Sequence, residues 1–290
     1  MMRYVTRIKA KVSVFTRKKT GNIFDGSYKS VYRGNGFDFE SLREYVPGDS
    51  IRDIDWKASS RGRKILVKQY IAQKRHNIML VFDTGKKFLA DTNGMQCKKD
   101  IALNAGGVVG YLTCKNGDDV GAIYCRNGMI QYHPMKAGLF NVEKILTEYE
   151  REDFSTYSGE LKKSLDYIIK NVKRKMILFV ITDMAGICDI EEDTLKKLTY
   201  QHDVLFIDVS DANVTSGKSY DVDKALYIPE FISGNKRLRQ IEEETKKRIL
   251  EESTKKLLKY RIVSTQINSE EEIIEKVIEL LERHKYANNR

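Results

Sequence analysis

The chain has 290 residues, of which 41% are hydrophobic and 32% are charged. It can therefore bury the core of one large domain, with or without an appendage, and wholesale disorder is excluded. No apolar run approaches the roughly 20 residues of a membrane span, and the basic amino terminus lacks the apolar core of a signal peptide, so we expect a cytoplasmic protein. The four cysteines include no Cys-x-x-Cys pair, which favours reduced thiols over a zinc site.

Positive charge is concentrated in the first quarter of the sequence. The net charge is +10, but residues 1–76 hold eighteen Lys and Arg against seven Asp and Glu, while the remainder holds 33 against 34. Such an excess indicates either an electrostatic footprint for nucleic acid or a basic surface that docks an acidic partner. A solvated basic surface without a partner is the third interpretation.

The first quarter predicts little regular structure. Apolar residues at near-helical spacing predict a short amphipathic helix within residues 1–20, and the Gly, Asn and Ser content of residues 21–36 predicts a loop. Residues 37–45 are extended or short-helical in pattern, Pro47-Gly48-Asp49 predicts a tight turn, and residues 65–71 predict a strand. This segment is expected to be a basic, β-rich or irregular extension of the main domain.

The rest of the chain alternates strands with helices. Residues 78–82 are five apolar residues in a row, which is typical of a strand buried on both faces of a parallel sheet. Further strands are predicted at 119–125, 175–182, 204–209 and 262–267, with a hairpin arm at 129–132. Helices are predicted at 96–114, 141–150, 161–172, 194–200, 236–259 and 270–285, and residues 210–235 read as irregular. This order predicts an α/β fold with a doubly wound, mainly parallel sheet.

Function is expected at the carboxyl edge of that sheet. Asp83 and Asp183 each follow a fully apolar strand directly, and Asp208 lies near the end of another. Loops leaving the carboxyl ends of parallel strands build the binding crevice in open sheets of this class. Asp83 is therefore the first candidate site residue.

A second candidate region precedes the sheet domain. Charges of both signs surround a turn and the only tryptophan, Trp56. We expect Arg side chains there to clamp carboxylates in a network, with Arg43, Glu44, Asp49, Arg52 and Asp55 as members. In one interpretation the network holds the basic segment on the sheet domain; in the other these residues, with Trp56 and Arg61, form part of a partner surface.

This region carries a family resemblance. Gly-Asn-Gly-Phe-Asp-Phe at 34–39, Leu-Arg-Glu-Tyr-x-Pro-Gly-Asp at 42–49 and Arg-x-Ile-Asp-Trp-x-x-Ser-x-Arg at 52–61 resemble the signature of the bacterial domain of unknown function 58 family. The resemblance implies a von Willebrand factor A-like domain at 76–290, with the signature segment at 1–75 packed on it. It also implies a partner, since genes of the family commonly neighbour MoxR-type AAA+ ATPases.

The resemblance further implies a degenerate metal-ion-dependent adhesion site. Domains of this type hold a divalent ion such as Mg²⁺ through Asp-x-Ser-x-Ser, a Thr and a second Asp. Asp83 and Asp183 match the two acids, and Thr156 or Ser158 could match the threonine, but Gly85 and Lys87 replace both serines. Lys87 could neutralise both acids without a metal, so we expect neither a metal nor any other cofactor, and recognition through a fixed positive charge.

No catalytic residue is predicted. His76, His133, His202 and His284 are scattered without a nucleophile motif, and there is no Walker A sequence. The expected function is therefore non-enzymatic protein binding, as an adaptor for an AAA+ ATPase that remodels or assembles a client. Nucleic-acid binding by the basic segment is the alternative, and a metal-dependent hydrolase built on the strand-end aspartates ranks last.

Overall fold

The structure is a computed structural model. It describes residues 2–18, 37–62, 64–72, 76–92, 95–154, 160–213, 215, 220–221, 226–227 and 235–288. The loop predicted at 21–36 and the candidate ligands Thr156 and Ser158 lie outside these residues.

The helices and strands follow the predicted order. The helices are α1 (Tyr4–Lys18), α2 (Trp56–Gly62), α3 (Lys98–Lys115), α4 (Leu139–Arg151), α5 (Glu160–Asn171), α6 (Met184–Asp189), α7 (Glu192–Gln201), α8 (Lys236–Lys259) and α9 (Ile273–Asn288), with 3-10 turns at Ile51–Asp53, Lys86–Leu89 and Glu270–Glu272. The strands are β1 (Phe37–Glu44), β2 (Leu66–Ala72), β3 (Asn77–Phe82), β4 (Asp119–Arg126), β5 (Met129–Lys136), β6 (Ile177–Thr182), β7 (Asp203–Val209), β8 (Tyr220–Asp221), β9 (Leu226–Tyr227) and β10 (Val263–Ile267). None of the helices in the described ranges is long and apolar enough to cross a membrane.

Six strands form the central sheet in the order β10-β7-β6-β3-β4-β5. The first five are parallel to one another, and β5 pairs antiparallel with β4 as a hairpin arm at the edge. The prediction of a doubly wound, mainly parallel α/β fold is therefore confirmed. Helices α2 and α6 were not predicted, and the segment 210–235, predicted to be irregular, contains the short antiparallel pair β8–β9.

Both faces of the sheet are buried, which explains the unbroken apolar strands. Along β3, Leu80 packs on one face with α1, α3, α4 and α9. Met79 and Val81 pack on the other face with α5, α7 and α8. Burying one such side chain contributes about 1.5–3 kcal/mol, which explains why β3 is apolar from Ile78 to Phe82.

Helix α1 belongs to the core of the sheet domain. Its residues Val5, Ile8 and Val12 are buried against α3 and α4. The buried carboxylate of Glu143 in α4 accepts hydrogen bonds from the backbone N–H groups of residues 3, 4 and 5, at 2.5, 3.0 and 2.7 Å. It therefore satisfies the free N–H groups at the helix start and opposes the positive end of the helix dipole. Part of the segment 1–75 thus packs within the main domain.

Ion pairs to the acidic remainder of the chain also hold α1 in place. Arg7 donates two hydrogen bonds to Glu270, at 2.8 and 2.9 Å, and Lys11 lies 2.6 Å from the same carboxylate. Arg3 lies 3.6 Å from Glu150. Some of the basic charge of the first quarter is therefore used inside the molecule.

We expect Gly106→Ala to destabilise the protein although alanine is the better helix former. A Cβ atom at Gly106 in α3 would lie 2.5 Å from the ring of Phe82, which is fully buried. Overpacking of this kind costs about 1–3 kcal/mol, which exceeds the gain in helix propensity of about 1 kcal/mol. Urea unfolding would measure the loss. Gly62→Ala, where a Cβ meets nothing within 4 Å, is the matched control; equal stability of the two variants would contradict the close approach of α3 to β3.

Candidate functional site

The candidate site lies at β3, where the strand order of the sheet reverses direction. After β3 the chain continues to β4 on one side, and it returns to β6 on the other side of β3. The loops after β3 and β6 therefore diverge and leave a crevice at the carboxyl edge, the usual binding position in doubly wound sheets. Asp83 and Asp183 follow these two adjacent strands, so the structure brings the two predicted acids together.

Lys87 joins the two acids directly. Its ammonium group lies 3.0 Å from Oδ2 of Asp83 and 2.7 Å from Oδ1 of Asp183. The other contacts of Asp83 complete its hydrogen bonding: Oδ1 accepts from the backbone N–H of Gly85 at 2.9 Å, and Oδ2 accepts from the hydroxyl of Thr182 at 2.7 Å. The turn after β3 thus folds back so that the lysine at the fifth position covers the aspartate at the first.

A second lysine, which the sequence did not predict, completes the cluster. Lys98 is the first residue of α3 and is fully buried. Its ammonium group lies 2.7 Å from Oδ2 of Asp183 and 2.5 Å from Oδ1 of Asp211, which follows β7. Asp183 also accepts a hydrogen bond from the backbone N–H of Gly186 at 2.7 Å and caps α6. A Cβ at Gly186 would lie 2.1 Å from Thr182 Oγ1, so only glycine lets this turn approach the cluster.

The neighbouring charges keep Lys87, Lys98 and Asp183 ionised. Burial by itself would lower the pKa of Lys98 and of Lys87, but the neighbouring carboxylates outweigh burial and raise both. Burial would likewise raise the pKa of Asp183, but the charges of Lys98 and Lys87 lower it to about 2. Opposite charges at hydrogen-bond distance stabilise the ionised form of each partner.

The cluster does not present the fixed positive charge expected from Lys87. Three carboxylates, on Asp83, Asp183 and Asp211, face two ammonium groups, which leaves one negative charge. The charge of Lys87 is used internally, although one of its three N–H donors has no acceptor within the described part of the chain. An incoming group would therefore meet a hydrogen-bond donor and not a free cation.

The residues present do not fit a divalent ion. An ammonium group lies between the two acids that would be its ligands, and Gly85 and Lys87 supply no hydroxyl oxygen. Hard cations need several oxygen ligands and are repelled by a fixed cation at that point. Within the described ranges no group of three or more His, Cys, Asp or Glu is arranged to hold a metal. The expected lack of a cofactor stays a prediction.

An apolar cleft opens beside Asp83 and Lys87. Its volume is about 60 Å³, enough for the end of one side chain, and it lies between α5, α6 and α7. The residues that line it are Asp83, Lys87, Leu161, Lys162, Leu165, Gly186, Asp189, Ile190, Glu191 and Thr194. Lys162 and Glu191 form an exposed ion pair of 2.5 Å at its mouth.

Asp208 lies deeper, next to the cluster on β7. Oδ2 accepts a hydrogen bond from Gln266 Nε2 at 2.9 Å, whereas Oδ1 and the hydroxyl of Ser210 are buried without a hydrogen-bond partner among the described residues. Burial and the nearby charge of Asp183 raise the pKa of Asp208 to about 7. This acid is therefore largely protonated in weakly acidic solution, in contrast to Asp183.

The signature residues form a separate small unit around the antiparallel pair β1–β2. Arg43 clamps Asp49 with two hydrogen bonds of 2.6 Å, and together with a hydrogen bond from the backbone N–H of Val46 this lowers the pKa of Asp49 to about 2. Glu44 pairs with Lys64 instead, and Asp55 caps α2 by accepting from Ala58 N–H at 3.0 Å. Arg52, Trp56 and Arg61 are exposed. The five residues predicted to form one network are thus divided among separate contacts.

Two of the four histidines, His202 and His284, lie within reach of the same charges, those of Asp203 and Lys175. His202 follows α7 and is buried, and His133 on β5 contacts the hydroxyl of Tyr124 at 3.3 Å. Burial lowers the pKa of both, so they are neutral near pH 7. That the protein is not an enzyme stays a prediction.

Comparison with known proteins gives a family match and distant relatives. A family model described as "Protein of unknown function DUF58" matches residues 41–216, more than half of the chain. Uncharacterized proteins of Mycobacterium bovis and Mycobacterium tuberculosis are each 23% identical over 197 residues, which cover 67% of this chain and 62% of the relative. The chain thus spans less than two thirds of the length of these relatives.

Similar solved structures include three chains of low sequence identity. They are the SpRpn10 VWA domain (TM-score 0.36, 7% identity, 70% of this chain and 94% of that chain), a von Willebrand factor type A protein from Catenulispora acidiphila (0.41, 8%, 74% and 43%) and the PilB minor pilin from Streptococcus sanguinis (0.42, 9%, 78% and 65%).

Proposed function

This chain belongs to the DUF58 family of proteins of unknown function, and we propose that it is a non-enzymatic adaptor that binds a protein at the carboxyl edge of its sheet. The family resemblance drawn from the signature is thereby confirmed, whereas the partner and the mode of binding are part of the proposal. The observation that carries it is the ion-paired cluster of Asp83, Lys87 and Asp183 beside an open apolar cleft.

The cluster supports binding better than catalysis. Each carboxylate oxygen of Asp83 and Asp183 is already held by a lysine, a hydroxyl or a backbone N–H, so neither acid is free to take a proton from a substrate. A general base has to reach the proton that it abstracts, and these do not. What the edge offers is a rigid surface with an apolar recess and one N–H donor on Lys87 that none of the described residues accepts.

Such a surface suits a protein segment that places an apolar side chain in the cleft and a carbonyl oxygen near Lys87. The partner proposed from the gene neighbourhood of the family is a MoxR-type AAA+ ATPase, in the cytoplasm. Because Lys87 occupies the position of an ion, this mode of binding needs no metal.

The test is capture of the ATPase from nuclease-treated extract with the tagged chain as bait. The bait variant Lys162→Glu, Asp189→Arg reverses two exposed charges at the mouth of the cleft without touching the core. We expect it to lose at least tenfold of the captured ATPase, since interface charges of the wrong sign oppose docking. Lys163→Glu, on the same helix but outside the cleft, is the matched control and should bind like the wild type.

A second arm tests independence from metal. The bait alone is treated with EDTA and desalted before capture, so that the nucleotide-bound Mg²⁺ of the ATPase is not disturbed. Capture should be unchanged. Failure to recover the ATPase, equal recovery with both variants, or a loss after EDTA that Mg²⁺ restores would each overturn the proposal.

Nucleic-acid binding remains the second candidate because of the basic first quarter. The structure weakens it, since Arg3, Arg7 and Lys11 of that quarter already pair with acids of the sheet domain. Phosphate binding would show an affinity that falls steeply with salt concentration, and a flat response would exclude it. A metal-dependent hydrolase ranks last because the strand-end acids are occupied by lysines.

A further inference from the structure

The signature residues divide into a set that builds the small unit and a set that the unit displays. Arg43 and Asp49 close the turn, Asp55 caps α2, and Ser59 Oγ accepts a hydrogen bond from the backbone N–H of Leu66 at 2.8 Å. Ile54 is buried and bridges to Val67 of β2. These contacts fix the backbone from residue 43 to residue 62 against β2.

The residues of the second set are exposed and do not hold the unit together. Ile51 and Trp56, on either side of the buried Ile54, are 67% and 63% exposed, and Val46 and Ile65 are exposed as well. Arg52 and Arg61 are exposed and form no ion pair with any described residue. Backbone hydrogen bonds from Tyr45 N–H to Ile65 O, at 2.9 Å, and from Asp55 N–H to Leu66 O, at 2.8 Å, bring Val46, Ile65 and Trp56 to the same end of the β1–β2 pair. Exposed apolar side chains that are gathered in this way usually mark an interaction site.

We infer that this displayed set, Val46, Ile51, Arg52, Trp56, Arg61 and Ile65, is a docking surface for an acidic segment of a partner protein that carries apolar side chains. Tryptophan and arginine are the residue types that dominate binding energy at protein interfaces. The surface is distinct from the carboxyl edge of the sheet and stands without the function proposed for that edge.

Charge complementarity determines the sign of the charge that the partner carries. Within residues 43–62, the acids Glu44, Asp49 and Asp55 are used in internal contacts, which leaves Asp53 against the displayed Arg52, Lys57 and Arg61. The displayed charge is therefore net positive. Arginines of this kind speed the encounter with an acidic partner and select against a basic one.

The apolar residues favour protein over nucleic acid. Single-stranded nucleic acid is held by several aromatic rings that stack on successive bases, along a basic groove. Among the side chains that the structure describes in this unit, one exposed ring, that of Trp56, is accompanied by the aliphatic side chains of Val46, Ile51 and Ile65. Aliphatic side chains contribute to protein interfaces by burial, not by stacking on bases.

The experiment selects a random library of 12-residue displayed peptides on the full chain, with counter-selection on the Arg52→Glu, Arg61→Glu variant. The expected peptides combine Asp or Glu with at least one Leu, Ile, Phe or Trp. Trp56 is the only tryptophan of the chain, so with a selected peptide that lacks tryptophan the fluorescence reports on this surface alone. A selected peptide should shift the emission to the blue, since binding removes water from the ring, and the variant should bind it at least tenfold more weakly.

Control variants keep the outcome interpretable. Lys196→Glu, exposed on α7, changes the net charge by the same amount per site and should bind the peptide like the wild type. The Lys162→Glu, Asp189→Arg variant of the cleft should also bind it normally, so failure here and failure at the sheet edge are distinguishable. Enrichment of basic or uncharged peptides, selection of the same peptides by the Arg52→Glu, Arg61→Glu variant, or displacement of the peptide by a random oligonucleotide at equimolar concentration would overturn the inference.

Discussion

Replacing Lys98 with methionine should lower the free energy of unfolding by about 3–5 kcal/mol, the usual cost of removing one member of a buried ion pair. Lys98 is fully buried and holds Asp183 at 2.7 Å and Asp211 at 2.5 Å. Methionine fills similar space but leaves Asp183 with Lys87 as its only cation. Asp211 is half exposed and can turn to water, so the penalty falls mainly on Asp183.

Urea unfolding of four proteins would measure this effect: the wild type, Lys98→Met, Asp183→Asn and the double variant. Because the two side chains share one interaction, the double variant should lose less than the sum of the single losses, with a coupling of about 1–3 kcal/mol. Lys197→Met removes an exposed i,i+4 partner of Asp193 and should leave stability unchanged within error. A loss for Lys98→Met no larger than that control would show that the cluster is not a buried ionic centre.

The sequence predicted the fold well because the fold rests on local patterns. Fully apolar strands such as β3 and β6 can be read from composition alone, since both faces of the sheet are covered. Helix α2 was missed although a readable feature existed: Asp55 stands directly before it as an N-cap. Helix α6, which includes Gly186, has only six residues. A helix of this length is too short to show a repeating pattern of apolar residues in the sequence.

The site was only half predictable. Asp83, Lys87 and Asp183 could be named because each stands at a strand end or at a fixed motif spacing. Lys98 could not, because it is followed by Lys99 in a first helical turn where exposed lysines are common; only the tertiary structure buries one of the two. Asp211 lies in a segment without a pattern. The prediction of a single network among the signature residues was wrong, because opposite charges that are close in sequence do not have to face one another.

Lys98 also changes how the charge of Lys87 contributes to the carboxyl edge. With Lys87 alone, one ammonium group would face the two carboxylates of Asp83 and Asp183. With two lysines against three carboxylates, the edge is a rigid and slightly acidic surface whose shape is set by ion pairs. Specificity there depends on the apolar cleft and its rim, which is why the proposed variants change Lys162 and Asp189 and leave the cluster intact.

Replacing Asp208 with asparagine should stabilise the protein at pH 8 and change stability little at pH 4. The pKa of Asp208 is raised from its ordinary value of 3.8 to about 7 in the folded state. A raised pKa means that the folded protein binds the proton more tightly than the unfolded chain does. The stability from this group is therefore complete below pH 4 and is lost as the pH rises to about 7, by up to about 4 kcal/mol.

Asparagine reproduces the protonated carboxyl without titrating. Its oxygen can accept the hydrogen bond from Gln266, and its amide nitrogen stands where the protonated oxygen was. Urea midpoints of wild type and Asp208→Asn between pH 4 and pH 8.5, at constant ionic strength, should diverge as the pH rises, with the variant the more stable. Asp183 acts in the opposite direction, because its lowered pKa gives stability that is lost only as the pH falls towards 2.

Asp193→Asn, on α7 and paired with Lys197 at the surface, is the matched control and should follow the wild-type curve in this range. If the curves of wild type and Asp208→Asn ran parallel, Asp208 would be ionised in the folded state. It would then have to be compensated by Lys98, whose charge lowers the pKa of Asp208. The two ammonium groups, of Lys87 and Lys98, would in that case face four ionised carboxylates, and the edge would carry two negative charges.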